Sequence, residues 1–172
     1  MSNHWKNISE MVTEIALPII PHIRSSKLKS EIISNLFESQ AEKYFNSIQI
    51  PVRACVSDRE PDLLFLNTNK PLEIKVTKSD HPFTRNCKWT GGKLSKRNSD
   101  YILIVWNYVR PTILEPNTTI KYFITKSYIE ENEWLPISDN YYGTEFNSKT
   151  LFNEKEYEII MGQYSNNMIV MV

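Results

Sequence analysis

At 172 residues, with 41% hydrophobic and 23% charged side chains, the chain has the size and composition of a single globular domain spanning 1–172. Lys and Arg number 20 and Asp and Glu 20, a balance that excludes a uniformly basic, sequence-blind coat for nucleic acid. Cys55 and Cys87 are too few for a disulfide framework, His4, His22 and His81 are scattered, and no apolar run reaches membrane-spanning length. Trp5, Lys6 and Glu10 interrupt the start where a signal peptide would be apolar, so a reducing cytoplasm is the expected compartment.

In chain order, residues 8–17 read as a helix stopped around Pro18 and Pro21. Lys27 to Ser47 reads as a longer amphipathic helix capped by Ser25 or Ser26, with an apolar stripe of Leu28, Ile32, Ile33, Leu36, Phe37 and Tyr44. Gln40 falls within that stripe, where a buried hydrogen bond to backbone is expected. Glu31, Glu38 and Glu42 fall on the polar side, where solvated carboxylates are expected. Ile48 to Val56 reads as a first strand.

Next comes Glu60-Pro-Asp-Leu-Leu-Phe-Leu-Asn-Thr-Asn-Lys-Pro-Leu-Glu-Ile-Lys-Val76, two apolar strand candidates around a turn-like Asn67-Thr-Asn-Lys70. With Asn67 opposite Lys70, Asp62 falls opposite Lys75 and Leu64 opposite Glu73. Alternation then gathers Asp62, Glu73 and Lys75 on one face, and Leu63, Phe65, Leu72, Ile74 and Val76 on the other. A slip of one residue would scatter the charged set across both faces.

From Lys78 to Arg97 the chain carries six Lys or Arg against one Asp and includes Pro82, Gly91 and Gly92, so it reads as a basic loop. Lys78, Lys88, Trp89, Lys93, Ser95, Lys96 and Arg97 are candidate nucleic-acid contacts. Asn86, Lys88, Lys96, Arg97 and Asn98 are candidates for reaching base edges. Against this loop, residues 127–160 hold eight acids and two lysines. Tyr101 to Val109 is almost continuously apolar, as a central strand covered on both faces must be. Thr118 to Thr125 reads as a strand, Ser127 to Trp134 as a short helix and Asn167 to Val172 as a terminal strand, while Glu156 to Met161 fits either type. The expected class is α/β, a central mixed sheet flanked by helices.

Two carboxylates and an ammonium on one face of an apolar hairpin suit a divalent-cation site. Asp62 and Glu73 offer hard oxygens of the kind Mg2+ prefers, and the Ile74 carbonyl offers a third. Lys75 stands where it would orient a bound water or offset charge on a phosphate. Pro61-Asp62 with Glu73-Ile74-Lys75 resembles the PD-(D/E)XK nuclease superfamily over roughly residues 57–78. The Trp-Thr-Gly-Gly…Ser-Lys-Arg stretch is similar to the loop after the catalytic strand in small type II restriction endonucleases.

The resemblance implies a restriction-endonuclease-like core with Asp62, Glu73 and Lys75 catalytic. It implies Mg2+ at Asp62, Glu73 and Ile74, and duplex DNA cut at a short near-palindromic site by a homodimer. It also implies a helical acid near the metal, for which Glu38 is the best placed of the three glutamates. Alternative expectations are a structure-selective resolvase, repair nuclease or RNA endonuclease of the same fold, or a non-catalytic nucleic-acid-binding module. The same residues also fit an exposed Glu73–Lys75 ion pair on an edge strand, worth about 0–1 kcal/mol.

Overall fold

A computed structural model of the chain describes residues 2–57, 60–78, 86–92, 99–109, 113, 119–127, 135–138, 141–147 and 159–164. Helix α1 spans Ser2–Ala16, longer at its start than the sequence suggests, and a short 3-10 turn follows at Ile20–His22. Trp5, Ile8, Val12 and Ala16 recur at helical spacing and are all buried, which is why this segment settles as a helix against the sheet. Helix α2 spans Ser26–Ser47, with the Ser25 hydroxyl accepting from the Leu28 N–H at 3.3 Å as its N-cap. Its buried face is Ile33, Phe37, Gln40, Ala41 and Phe45, while Leu28 lies outside it at 45% exposure.

The strands are β1 (Val52–Ala54), β2 (Leu63–Phe65), β3 (Lys70–Lys78), β4 (Asn86–Gly92), β5 (Asp100–Val109), β6 (Thr119–Ser127), β7 (Leu135–Ser138), β8 (Tyr141–Asn147) and β9 (Ile159–Tyr164). Six of them form a mixed sheet in the order β1-β2-β3-β5-β6-β9, and β4, β8 and β7 form a separate three-stranded sheet. Within the larger sheet only β3 and β5 are parallel. The architecture is α/β, as expected. Helices and one face of the sheet share a core: Leu63, Leu72, Ile74, Ile102, Ile104, Trp106, Ile120, Tyr122 and Ile124 pack with Ile8, Val12, Ile33, Phe37 and Phe45. Each such large apolar side chain contributes about 1.5–3 kcal/mol by leaving water. On the opposite parity of β5, Tyr101, Leu103 and Val105 are equally buried, so this strand is covered on both faces.

Several expectations change. The first strand is only Val52–Ala54, because α2 runs to Ser47 and the chain turns through Gln49, whose φ of 63° breaks any extended run. The hairpin slides by two positions, with Phe65 facing Lys70 and Leu63 facing Leu72. The turn uses four residues, with Asn69 in the left-handed region at φ 50°, and the Leu66 N–H is taken by the Pro51 carbonyl at 2.9 Å. A shift of two preserves parity, so the face assignments along β2 and β3 survive, while Asp62 precedes the ladder and turns its carboxylate to the edge of β3.

The basic stretch is not all loop. Residues 86–92 form β4, whose partner β8 comes from the acidic stretch far downstream, with Lys88 opposite Glu145 and Trp89 opposite Thr144. Local composition hid this pairing because nothing nearby in sequence supplies the second strand. Ser127 ends β6 rather than starting a helix; residues 128–134 and the expected terminal strand at 167–172 lie outside the described residues.

Candidate functional site

Strand β3 has two unlike edges. One is paired with β5 from Leu72 to Lys78; on the other, the ladder to β2 reaches Leu72 and goes no further among the described residues. Pro61, which has no N–H to donate, stands just before the point where β2 begins. Asp62 follows, and its Oδ2 accepts the Ile74 N–H at 2.7 Å. A carboxylate thus replaces the next rung of the ladder, and the Asp62 carbonyl meanwhile accepts the Cys55 N–H at 3.0 Å. In extended backbone a residue's N–H and C=O lie along the same edge, so the Ile74 carbonyl is directed to the edge that Asp62 occupies.

Glu73 and Lys75 share the parity of Asp62, away from the helix-side core. Glu73 is fully buried, and its Oε1 accepts from Lys75 Nζ, whose side chain is 19% exposed. This is no exposed pair on an edge strand: β3 is internal to the sheet, and a carboxylate at zero exposure is sustained by the ammonium beside it. Lys78 closes β3 on the other parity, that of Ile74 and Val76, opposite Trp106 of β5.

The three helical glutamates, alike in sequence, part company. Glu31 is exposed and pairs with Lys27 at 3.7 Å, as expected of a solvated acid. Glu42 is not solvated, since its Oε1 accepts the Ala54 N–H of β1 at 2.9 Å. Glu38 is not solvated either. It is half-buried, its Oε1 accepts from the Ser34 hydroxyl at 3.2 Å, and its carboxyl is pushed from 4.5 up to about 7. Burial is the largest cause, followed by the negative charge of Asp62. Ser34 pulls the other way, Glu73 raises it further and Lys75 lowers it. Asp62, Glu73 and Lys75 therefore all act on the Glu38 carboxyl. Ser30, Ser34, Glu38 and Glu42 form one row on α2 at four-residue spacing, with Ser30 bonded to Trp106 of β5 and Glu42 to Ala54 of β1. That row was visible in the sequence; its orientation over β3 was not. Gln40 is buried at 5% exposure, with Nε2 3.5 Å from Ser39 Oγ.

The donors gathered here are carboxylate oxygens and a backbone carbonyl, a set that suits a hard divalent cation rather than zinc. Among the described residues no group of three or more His, Cys, Asp or Glu is placed to hold a metal ion between them. Mg2+ characteristically uses one or two carboxylates and keeps several waters, so the donor set fits it. Of the other candidate contacts, Lys88 and Trp89 belong to β4; Lys93, Ser95, Lys96, Arg97 and Asn98 lie outside the described residues. Among the described residues no helix is long and apolar enough to cross a membrane. Comparison of the chain with protein families, curated proteins and solved structures returns no match.

Proposed function

We propose that this chain is a Mg2+-dependent endonuclease of the restriction type, with a PD-(D/E)XK core, that hydrolyses phosphodiester bonds in duplex DNA. The observation that carries the reading is the meeting of Asp62 and Glu73-Ile74-Lys75 at the open edge of β3, with Glu38 brought in from α2. Buried like charges held together at a stability cost are characteristic of sites selected for chemistry. A short near-palindromic target, a homodimer whose two-fold axis matches it and a cytoplasmic location complete the proposal.

The roles follow from the placement. Asp62, fixed by the Ile74 N–H, Glu73 and the Ile74 carbonyl would hold the cation, and the Glu38 carboxyl stands near enough to add its charge. When bound, the cation supplies Lewis acidity toward the phosphate and lowers the pKa of its water. Lys75, kept in place by Glu73, sets a positive charge beside the reacting phosphate and orients the attacking water. Lys78, Lys88, Trp89, Lys93, Ser95, Lys96 and Arg97 are the proposed DNA contacts, with phosphate contacts giving affinity that falls as salt rises.

The test is digestion of defined plasmid DNA with Mg2+, followed by sequencing of the ends, with Asp62→Ala as control. Discrete fragments from the wild type and none from the variant are expected. Cutting confined to branched DNA or to RNA would move the substrate to a resolvase or RNA endonuclease. Salt-sensitive binding without turnover in Mg2+ or Mn2+ would overturn the enzyme reading.

A further inference from the structure

We propose that Ser34 is the positioning residue for Glu38, holding that carboxylate beside Asp62 and Glu73 so that its charge strengthens the binding of a divalent cation at the edge of β3. The role rests on the nuclease reading above and concerns a residue outside the acid and lysine motif.

A serine inside a helix ordinarily turns its hydroxyl back to a carbonyl of the preceding turn. Other short polar side chains of this chain do so: Ser9 Oγ donates to the Trp5 carbonyl at 2.7 Å, Thr13 Oγ1 to the Ser9 carbonyl at 2.8 Å, and Asn35 Nδ2 to the Glu31 carbonyl at 2.7 Å. Ser34 instead donates forward, to Glu38 Oε1 at 3.2 Å.

The helix that carries this pair is fastened to the sheet on both sides of it. Toward the N-terminus, Trp106 Nε1 of β5 donates to Ser30 Oγ at 3.1 Å. Toward the C-terminus, Glu42 Oε1 accepts the Ala54 N–H at 2.9 Å. One turn further on, Asn46 makes two bonds to Val52, donating to its carbonyl at 2.9 Å and accepting its N–H at 3.1 Å. Rotation and sliding of α2 over β1 and β5 are thereby fixed. The freedom left is that of the Glu38 side chain itself, and Ser34 is the group that restrains it. A hydrogen bond to the charged oxygen also favours the form that binds a cation.

The experiment is calorimetric titration of the full chain with Mg2+ alone, without DNA, for wild type, Ser34→Ala, Ser34→Thr, Glu38→Gln and the Ser34→Ala/Glu38→Gln double variant. Ser34→Ala is expected to weaken Mg2+ binding about tenfold, the usual scale for a residue that acts on a metal site from outside its ligands. Ser34→Thr, which keeps the hydroxyl, should stay close to wild type. In the Glu38→Gln background, adding Ser34→Ala should change nothing further. Wild-type affinity in Ser34→Ala, or the same loss in both backgrounds, overturns the role. Failure of the two ideas is distinguishable. A wild-type chain that takes up neither Mg2+ nor Mn2+ sinks the nuclease reading and this role with it. Uptake that needs Asp62 and Glu38 but ignores Ser34 sinks only the latter.

Discussion

Two places where a helix meets the sheet bury polar side chains, and they do it in opposite ways. Where α1 crosses β6, Thr13 Oγ1 lies 2.8 Å from the Ser9 carbonyl and 3.1 Å from Tyr122 Oη, and all three residues are at most 2% exposed. Every group there is neutral. Burial pushes the Tyr122 hydroxyl well above its ordinary pKa, so it keeps its proton and the network stays uncharged. Where α2 crosses β1 and β3, the carboxyl groups of Asp62 and Glu73 both come within electrostatic reach of Glu38, as does the ammonium of Lys75 that pairs with Glu73. The first cluster satisfies its own hydrogen bonds and needs nothing more. The second gathers like charge around a half-buried carboxyl, at a cost to folding that a bound cation would offset.

The sharpest way to break this contrast is on activity. Asp62→Ala, Glu73→Ala and Lys75→Ala should each reduce Mg2+-dependent plasmid cleavage by about 10²–10⁴-fold, the range for removing one catalytic group. An Ala variant that cuts at the wild-type rate takes its residue out of the mechanism. The next largest effect is on folding. Lys75→Met takes the ammonium away from the fully buried Glu73 and should cost about 3–5 kcal/mol. Pairing it with Glu73→Leu should recover most of that loss, read as the urea midpoint at constant m-value. Full recovery of stability without recovery of cleavage would separate the folding role of the pair from its chemistry.

Glu38 supplies a signed pH dependence. Its folded-state pKa of about 7 lies above the ordinary 4.5, so the native state holds the extra proton through that interval. Stability therefore falls as pH rises from about 4.5 to about 7 and stays at the lower level above it. Glu38→Gln should remove that slope and stabilise the protein at pH 8 by about 1–2 kcal/mol, after allowing for the solvent that still reaches the group. Urea unfolding at pH 5 and pH 8 measures it, and a wild type equally stable at both would contradict the raised value. The smallest effect belongs to the other cluster. Thr13→Val should cost about 1–2 kcal/mol by removing a partner of Tyr122, and should leave cleavage per folded molecule unchanged.

Chain pattern alone identifies much of this protein. Helix α2, the doubly covered β5 and the common face of Glu73 and Lys75 all follow from periodicities of 3.6 and 2, while the cap of α2, open between Ser25 and Ser26 in the sequence, is Ser25. The hairpin shows how robust the face assignment is: the turn took four residues and the register moved by two, yet the parity stood. Strand β4 shows the limit. Its partner is far away in sequence, so glycines and basic residues spoke only for a loop.

The sequence by itself thus determined which side chains can share a strand face or a helix row, because those relations depend only on local backbone geometry. Tertiary structure decided which row meets which face. It turned α2 so that Glu38, rather than Glu31, stands by Asp62 and Glu73, and it closed one edge of β3 with β5 while the other ended in the Asp62 carboxylate. No local rule dictates those choices, since they are settled by how the apolar faces of two helices and a twisted sheet bury one another.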